Sequence, residues 1–414
     1  MHICNYPYGR IEDINNACVI ASYIVFNSGM DRILRDAGNF AVGQTIGTWI
    51  SVPGISEEMI QKYQGRVISV VSLDGDGSFF IRVAFPQINF ASSFTMMLTA
   101  LVGNDVSTAL QMKLIDIEFY NGALNEYTGP KQKMKDLRQL VNVYDRPIVL
   151  NMIKPCAGFS PEEGAKLFLA SASGGVDLIK DDEILGSPSY NAVVKRTKLY
   201  LQMAEKVYEN TGKKVIYLPN ITGTPNQIND NAKAVIECGA KACLINFVFS
   251  GIDTLKEICD KYGDKLFIMS HYAGAAVMNS PHSGIANSIL LGLLPRLAGA
   301  SSQMTMAPKI SAYENIYDLY QIVQSQNMPM QHINPIITTV GGGITPINQE
   351  WFQQKLGKDI IIGIGGAIQG HPAGTTVGAK AAMRAVSASA NNIPLDEAAI
   401  DCPELQSAIK LWRN

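Results

Sequence analysis

Nowhere in the 414 residues is there an apolar run approaching the roughly 18 to 20 residues needed to cross a bilayer. The amino-terminal stretch sets Arg10, Glu12 and Asp13 before its apolar run, so it lacks the basic-then-apolar order of a secretory leader. An excess of one charge sign is missing as well: 34 basic residues against 36 acidic ones leave a formal net charge of −2. That balance offers no electrostatic case for nucleic acid or an acidic membrane. Cysteine is sparse, with Cys4, Cys18, Cys156, Cys238, Cys243, Cys259 and Cys402 scattered over the chain. Seven is an odd number, and the spacing forms no disulfide framework, so a reducing cytoplasm is the expected compartment. What is present is a chain 47% apolar, long enough for one large barrel and a smaller domain. Small-molecule chemistry is the default.

The pattern changes along the chain. Residues 1–135 mix β-rich segments (18–26, 65–72, 79–86, 112–119) with two helical patterns (29–40, 91–101). The order strand-helix-strand-strand-helix-strand predicts a ferredoxin-like α+β domain. A polar stretch, 121–135, then leads into residues 136–414, where short apolar runs alternate with amphipathic helices. The runs 147–153, 176–179, 214–218, 242–247, 266–269, 303–306, 335–340 and 359–364 predict the eight strands of a (β/α)8 barrel. Ser160 with Glu163 reads as a capping box, and Gly239 as the stop of a helix over 227–238. The long gap after the fifth run leaves 279–288 as loop or insertion.

The densest chemistry follows the second run: Lys180-Asp181-Asp182-Glu183 after Gly174-Gly175-Val176-Asp177-Leu178-Ile179. One amine and three carboxylates at the end of a buried strand need a compensating partner. Asp182 and Glu183 are oxygen ligands of the kind magnesium prefers, and no Cys or His lies close enough to suggest zinc. Lys180 would repel a metal unless deprotonated or modified; a lysine that adds carbon dioxide becomes an anionic carbamate and a ligand in its own right. The same cluster would also suit a helix N-terminus, where acids cap free N–H groups. Its place at a strand end in a β/α series favours the cation.

Barrel active sites sit at the C-terminal ends of the strands. There the sequence sets Lys154, Lys180 with Asp182 and Glu183, Asn220, His271, Lys309, Gly341-Gly342-Gly343 and Gly365-Gly366. Gly342, Gly343, Gly365 and Gly366 follow the seventh and eighth runs, where barrels commonly hold phosphate. Tight turns would use the same glycines singly; the pair of sites favours phosphate.

Taken together, Thr45-Ile46-Gly47-Thr48-Trp49, Gly103-Asn104, Ile153-Lys154-Pro155, the Gly175–Glu183 run, Gly342-Gly343-Ile344 and Gly370-His371-Pro372-Ala373-Gly374 resemble the RuBisCO large-subunit superfamily over nearly the whole chain. The resemblance implies magnesium held by Asp182, Glu183 and a carbon-dioxide-derived carbamate on Lys180. It implies a homodimer whose sites take Thr48, Trp49 and Asn104 from the partner subunit. Lys154 looks like the proton-abstracting base or its helper, and the four glycines look like the site for one phosphate.

The departures from the carboxylase pattern narrow the function. Gly43 stands in place of a glutamate, Cys156 in place of a second lysine, and Met269-Ser270-His271-Tyr272 lacks the arginine that grips a second phosphate. Met304 stands in place of that arginine's histidine companion. Without a basic clamp the charge-assisted bonds a second phosphate needs are missing. The expectation is a RuBisCO-like protein, nearest in look to the methionine-salvage enolase acting on 2,3-diketo-5-methylthiopentyl-1-phosphate, that enolises a ketose or diketone carrying one phosphate. Sugar-phosphate isomerisation or decarboxylation would pass through the same enolate; carbon fixation or passive phosphate binding are the remaining alternatives. Asn104 replaces the lysine that enolase uses, and an amide cannot abstract a carbon-bound proton, so the base falls to Lys154 with its pKa lowered, or to the carbamate on Lys180. Asn104 and Asn220 would orient substrate or water, and His271 is a further acid/base candidate. Trp351 and Trp412 read as packing residues.

Overall fold

A computed structural model describes residues 8–26, 28–47, 52–73, 77–108, 110–309 and 313–413. The chain divides into two compact units, Met1–Thr128 with Gly274–Leu294, and Gly129–Ala273 with Pro295–Asn414.

In the first unit, β1 (Cys18–Val25), β2 (Arg66–Ser72), β3 (Phe79–Pro86) and β4 (Met112–Tyr120) form an antiparallel sheet in the order β4-β1-β3-β2. Helices Met30–Gly43 and Phe94–Leu101 supply the two crossovers, the ferredoxin-like arrangement that the element order predicts. Strand alternation decides the core: Phe79, Ile81, Val83 and Phe85 are buried on one face of β3. Ile33, Ala37, Phe40 and Ala41, at helical spacing, form the buried stripe of the first helix. Phe40 meets Tyr23 and Phe85 edge-on, with ring centroids 5.4 and 6.0 Å apart. The second helix starts at Phe94 rather than near residue 91, because the Ser93 hydroxyl accepts the Met96 N–H at 3.2 Å and fixes the cap there.

The second unit contains β5 (Ile148–Met152), β6 (Leu178–Lys180), β7 (Ile216–Leu218), β8 (Ala242–Ile245) and β9 (Phe267–Ser270). The chain then makes the excursion Gly274–Leu294, which holds the stretch expected as loop or insertion. Its two-residue strand β10 (Gly284–Ile285) pairs in parallel with β4 of the first unit's sheet. β11 (Ser302–Met306), β12 (Ile337–Gly341) and β13 (Ile361–Gly363) complete an eight-stranded parallel sheet. A parallel bridge between Asn220 and Leu244 joins the two end strands and closes it into a barrel. Alternation again sorts the side chains. Leu150, Leu178, Leu218, Leu244 and Met269 fill the interior, while Val149, Ile179, Tyr217, Val340 and Ile362 pack against the helices. Register sets Met152 beside Lys180, Lys180 beside Leu218, and Gly341 beside both Met306 and Gly363. The polar strand ends therefore leave the barrel at one level.

The capping box of Ser160 and Glu163 starts helix Pro161–Ser173. A second one, Thr224 with Gln227, starts helix Pro225–Glu237 two residues before the predicted start. No helix among the described residues is long and apolar enough to cross a membrane.

Candidate active site

The four charged residues that follow Ile179 point in different directions because they leave a strand. Asp181 turns outward, where it accepts the Arg196 guanidinium at 2.9 Å, the Tyr217 hydroxyl at 2.7 Å and the Asn220 backbone N–H at 2.8 Å. All three donors are buried, so Asp181 is a structural anchor. Lys180, Asp182 and Glu183 face the barrel mouth.

Lys180 is 0% exposed. Its Nζ donates to the Asp181 carbonyl at 3.0 Å and reaches Glu183 Oε2 at 3.3 Å. Burial outweighs the attraction of Glu183 and Asp182 and pushes the amine below the ordinary lysine range. A neutral amine is the form that can add carbon dioxide. Lys154 behaves oppositely. Burial alone would lower its pKa, but hydrogen bonds to Asp182 and to the Cys156 sulfur, 3.0 Å away, together outweigh that and raise it. The lowered pKa expected for Lys154 is thus corrected: beside the Asp182 carboxylate the side chain is held as an ammonium.

His271, 1% exposed at the end of β9, accepts the Ala273 N–H on Nδ1 at 3.1 Å, which leaves the proton on Nε2. That nitrogen lies 3.5 Å from Glu183 Oε2. Burial, then the Lys180 charge, hold the ring well below the ordinary histidine range, so it is neutral and a donor. Its ring stacks on Tyr272 at 4.5 Å. Asn220 does not face substrate: its amide donates to the carbonyls of Asp182 and Glu183 at 3.1 and 3.0 Å.

Across the mouth, Gly342 and Gly343 have φ of +99° and +70°, values that L side chains rarely adopt. Gly341 is small for another reason, since a Cβ there would fall 2.2 Å from Met304 Cε. Gly366 opens the short helix Gly366–Gln369. Behind it, the buried Asn151 amide donates to the Ile364 carbonyl at 2.7 Å and its oxygen accepts from Gln369 at 2.6 Å, tying the segment on both sides of Gly365 to β5.

Lys154, Lys180, Asp182, Glu183, His271, Gly342, Gly343, Gly365 and Gly366 all line one cavity of about 420 Å³. Met152, Tyr272, Met304, Ile344, Thr345 and Trp412 complete its wall. Trp412 is therefore a wall residue of the site rather than a plain packing residue, and no local signal announces it. Asn104 lies in the first unit, in helix Asn104–Thr108 beside a 320 Å³ depression shared with Gly43 and Asp105. Thr48 and Trp49 lie outside the described residues. Lys309 is exposed beyond β11 and is not among the residues lining the cavity.

No three His, Cys, Asp or Glu side chains among the described residues cluster as a ready metal site. Two carboxylates beside a buried amine whose pKa burial lowers fit a hard cation once that amine becomes an anionic oxygen ligand. The residues present therefore suit magnesium with a carbamate on Lys180.

Residues 133–412 match the family described as ribulose bisphosphate carboxylase large chain, catalytic domain, and residues 13–121 match its N-terminal domain. A ribulose bisphosphate carboxylase-like protein of Archaeoglobus fulgidus is 34% identical over 381 residues, covering 89% of this chain and 86% of that protein. A 2,3-diketo-5-methylthiopentyl-1-phosphate enolase of Bacillus licheniformis is 30% identical over 401 residues, 95% of this chain and 98% of that one. The crystal structure of a rubisco-like protein (MtnW) from Alicyclobacillus acidocaldarius superimposes with a TM-score of 0.87 at 31% identity, covering 95% of this chain and 100% of the other. With its two-part fold, its lysine-and-acid cluster and these relatives, the chain belongs to the ribulose bisphosphate carboxylase large-chain family as a RuBisCO-like enzyme.

Proposed function

We propose that the enzyme abstracts a proton next to a carbonyl, in a magnesium-dependent enolisation of a ketose or diketone that carries one phosphate. The relative named 2,3-diketo-5-methylthiopentyl-1-phosphate enolase supplies the model substrate. One observation carries this reading: a buried lysine with a lowered pKa, flanked by Asp182 and Glu183, opens on the same cavity as the glycine turns.

Asp182, Glu183 and the Lys180 carbamate would hold the cation. When bound, magnesium supplies Lewis-acid stabilisation of negative charge developing on a carbonyl oxygen. Lys154, just beyond the end of the neighbouring strand β5, takes the proton from carbon. It must first lose its own, so exchange rises toward alkaline pH. Neutral His271 donates from Nε2 to an oxygen of the reacting group. Backbone N–H groups at Gly342, Gly343, Gly365 and Gly366 bind the phosphate. Lys154 and Lys180 are the only lysines or arginines among the described residues lining the cavity, and both belong to the acid cluster. No side chain there is left to clamp a second phosphate. Met152, Met304, Ile344 and Trp412 offer apolar surface to an uncharged distal chain.

The working unit is a homodimer in this reading, with Asn104, Thr48 and Trp49 serving the partner's site. Exposed Ile184, just after Glu183, and Phe249, in the short helix Phe247–Ser250, give apolar surface for such an interface. The test is incubation of 2,3-diketo-5-methylthiopentyl-1-phosphate in deuterium oxide with magnesium and bicarbonate, read by proton NMR. Loss of the C–H signal next to the carbonyl is the expected result. Tight binding of the compound with no exchange would overturn the reading.

A further inference from the structure

Two asparagines at the barrel mouth converge on one backbone carbonyl of the acid cluster. Asn220 follows β7 and Asn246 follows β8, and both aim their amide nitrogens at the same atom, the backbone carbonyl of Glu183, at 3.0 and 2.6 Å. Asn220 also donates to the Asp182 carbonyl at 3.1 Å. The two are joined through Thr222. Its hydroxyl donates to Asn220 Oδ1 at 2.5 Å and accepts the Asn246 backbone N–H at 3.0 Å, closing a ring of hydrogen bonds. The donor and acceptor counts are consistent, since a carbonyl oxygen has two lone pairs and a hydroxyl can give and receive at once.

This ring is not what anchors the loop. Arg196, 0% exposed, already does so through Asp181 and the carbonyls of Leu185 and Gly186. The Asn220 backbone joins that anchor through Asp181, but the side-chain amides of both asparagines go to the two residues that follow it, whose backbone orientation decides where the carboxylates point. The Asn246 Oδ1 is buried with no hydrogen-bond partner among the described residues. An unpaired buried oxygen is a cost that an apolar side chain of similar size would avoid. Its amide is there for the one bond to Glu183.

We propose that Asn246, coupled to Asn220 through Thr222, is a positioning residue that sets the affinity of the Asp182–Glu183 pair for a divalent cation. The proposal rests on the reading that these two acids hold the metal. Residues that orient ligands from behind typically change metal affinity by roughly 10- to 100-fold when altered.

The experiment titrates Mn²⁺ into the full-length protein with bicarbonate present, reading free Mn²⁺ by electron paramagnetic resonance, with thermal melting alongside. Asn246→Leu and the near-isosteric Asn246→Asp, which lacks the donor, should each weaken Mn²⁺ binding about 10-fold or more while melting close to wild type. Thr222→Val should weaken it in the same direction. Mn²⁺ affinity unchanged in variants that fold would overturn the proposal, and so would collapse of all three variants, since that outcome makes the ring structural. Wild-type binding is the separate control. Its absence would overturn the metal reading itself, whereas its presence with unaffected variants overturns only the role of Asn246.

Discussion

Asp177 and Asp182 stand at opposite ends of strand β6, and their surroundings differ as much as the two ends of the barrel do. At the N-terminal end Asp177 accepts both Arg146 nitrogens at 2.6 and 2.9 Å, the Val149 N–H at 2.8 Å and the Lys213 amine. Nearby arginines are equally committed. Arg138 binds Asp359 and the carbonyls of Val143, Arg146 and Lys358, and Arg296 binds the carbonyls of Ser325, Ile333 and Asn334. Many of these donors end on rigid backbone. At the C-terminal end, Lys154, Lys180, Asp182 and Glu183 pair largely with one another around a cavity. The same residue types thus meet mostly distant arginines and backbone at one end, and one another beside a cavity at the other. Buried charge is a structural device at one end and, in the proposed function, a reactive one at the other.

Substitutions at each end should separate these roles. Lys154→Met removes the proposed base and should slow exchange by roughly 10²- to 10⁴-fold while Mn²⁺ still binds, as measured by single-turnover NMR and titration. Arg146→Met leaves Asp177 without its bidentate partner and should cost about 3 to 5 kcal/mol in urea unfolding, as breaking a buried pair does. Mn²⁺ affinity per folded molecule should not change; if it did, the two ends would not be independent.

Acid should act on the N-terminal end in a definite direction. Burial alone would raise the Asp177 pKa, but Arg146 and Lys213 outweigh it and hold the carboxyl below the ordinary range. The unfolded chain therefore takes up the proton first. The stabilisation is complete above the unfolded aspartate value and is lost as pH falls through the folded one. Unfolding free energy should drop as pH falls below about 4, and Asp177→Asn should show a shallower slope over that window. The smallest effect is expected at the glycine turn. Gly342→Ala forces a methyl into φ of +99° and should cost about 1 to 2 kcal/mol, read as a raised KM with little change in kcat.

Much of this was legible in the residues themselves. The eight apolar runs became the eight barrel strands because buried parallel strands need continuous Val, Ile and Leu, a pattern that survives without an alignment. The lysine-and-acid cluster was legible because four charges after a buried strand demand an explanation. Which acid faces in and which faces out was harder. Asp181 and Asp182 are adjacent and chemically equal, and only the partners Arg196 and Tyr217, 15 and 36 residues away, settle it. Trp412 was not legible as a wall of the site, because helix Pro403–Trp412 reads as an ordinary amphipathic helix and its place at the mouth is a tertiary fact. The Lys154 pKa was expected to fall through burial and a nearby cation; the bond to Asp182, which sequence does not show, raises it instead. Asn220 looked like a substrate contact, since nothing in sequence shows that its amide is committed to backbone.

The most direct test compares wild type with Lys180→Ala in deuterium exchange of 2,3-diketo-5-methylthiopentyl-1-phosphate, each with magnesium, with and without bicarbonate. Exchange in wild type that depends on bicarbonate, and its loss in Lys180→Ala, is the outcome expected if a modified Lys180 seats the cation. Equal exchange by the two proteins would contradict it.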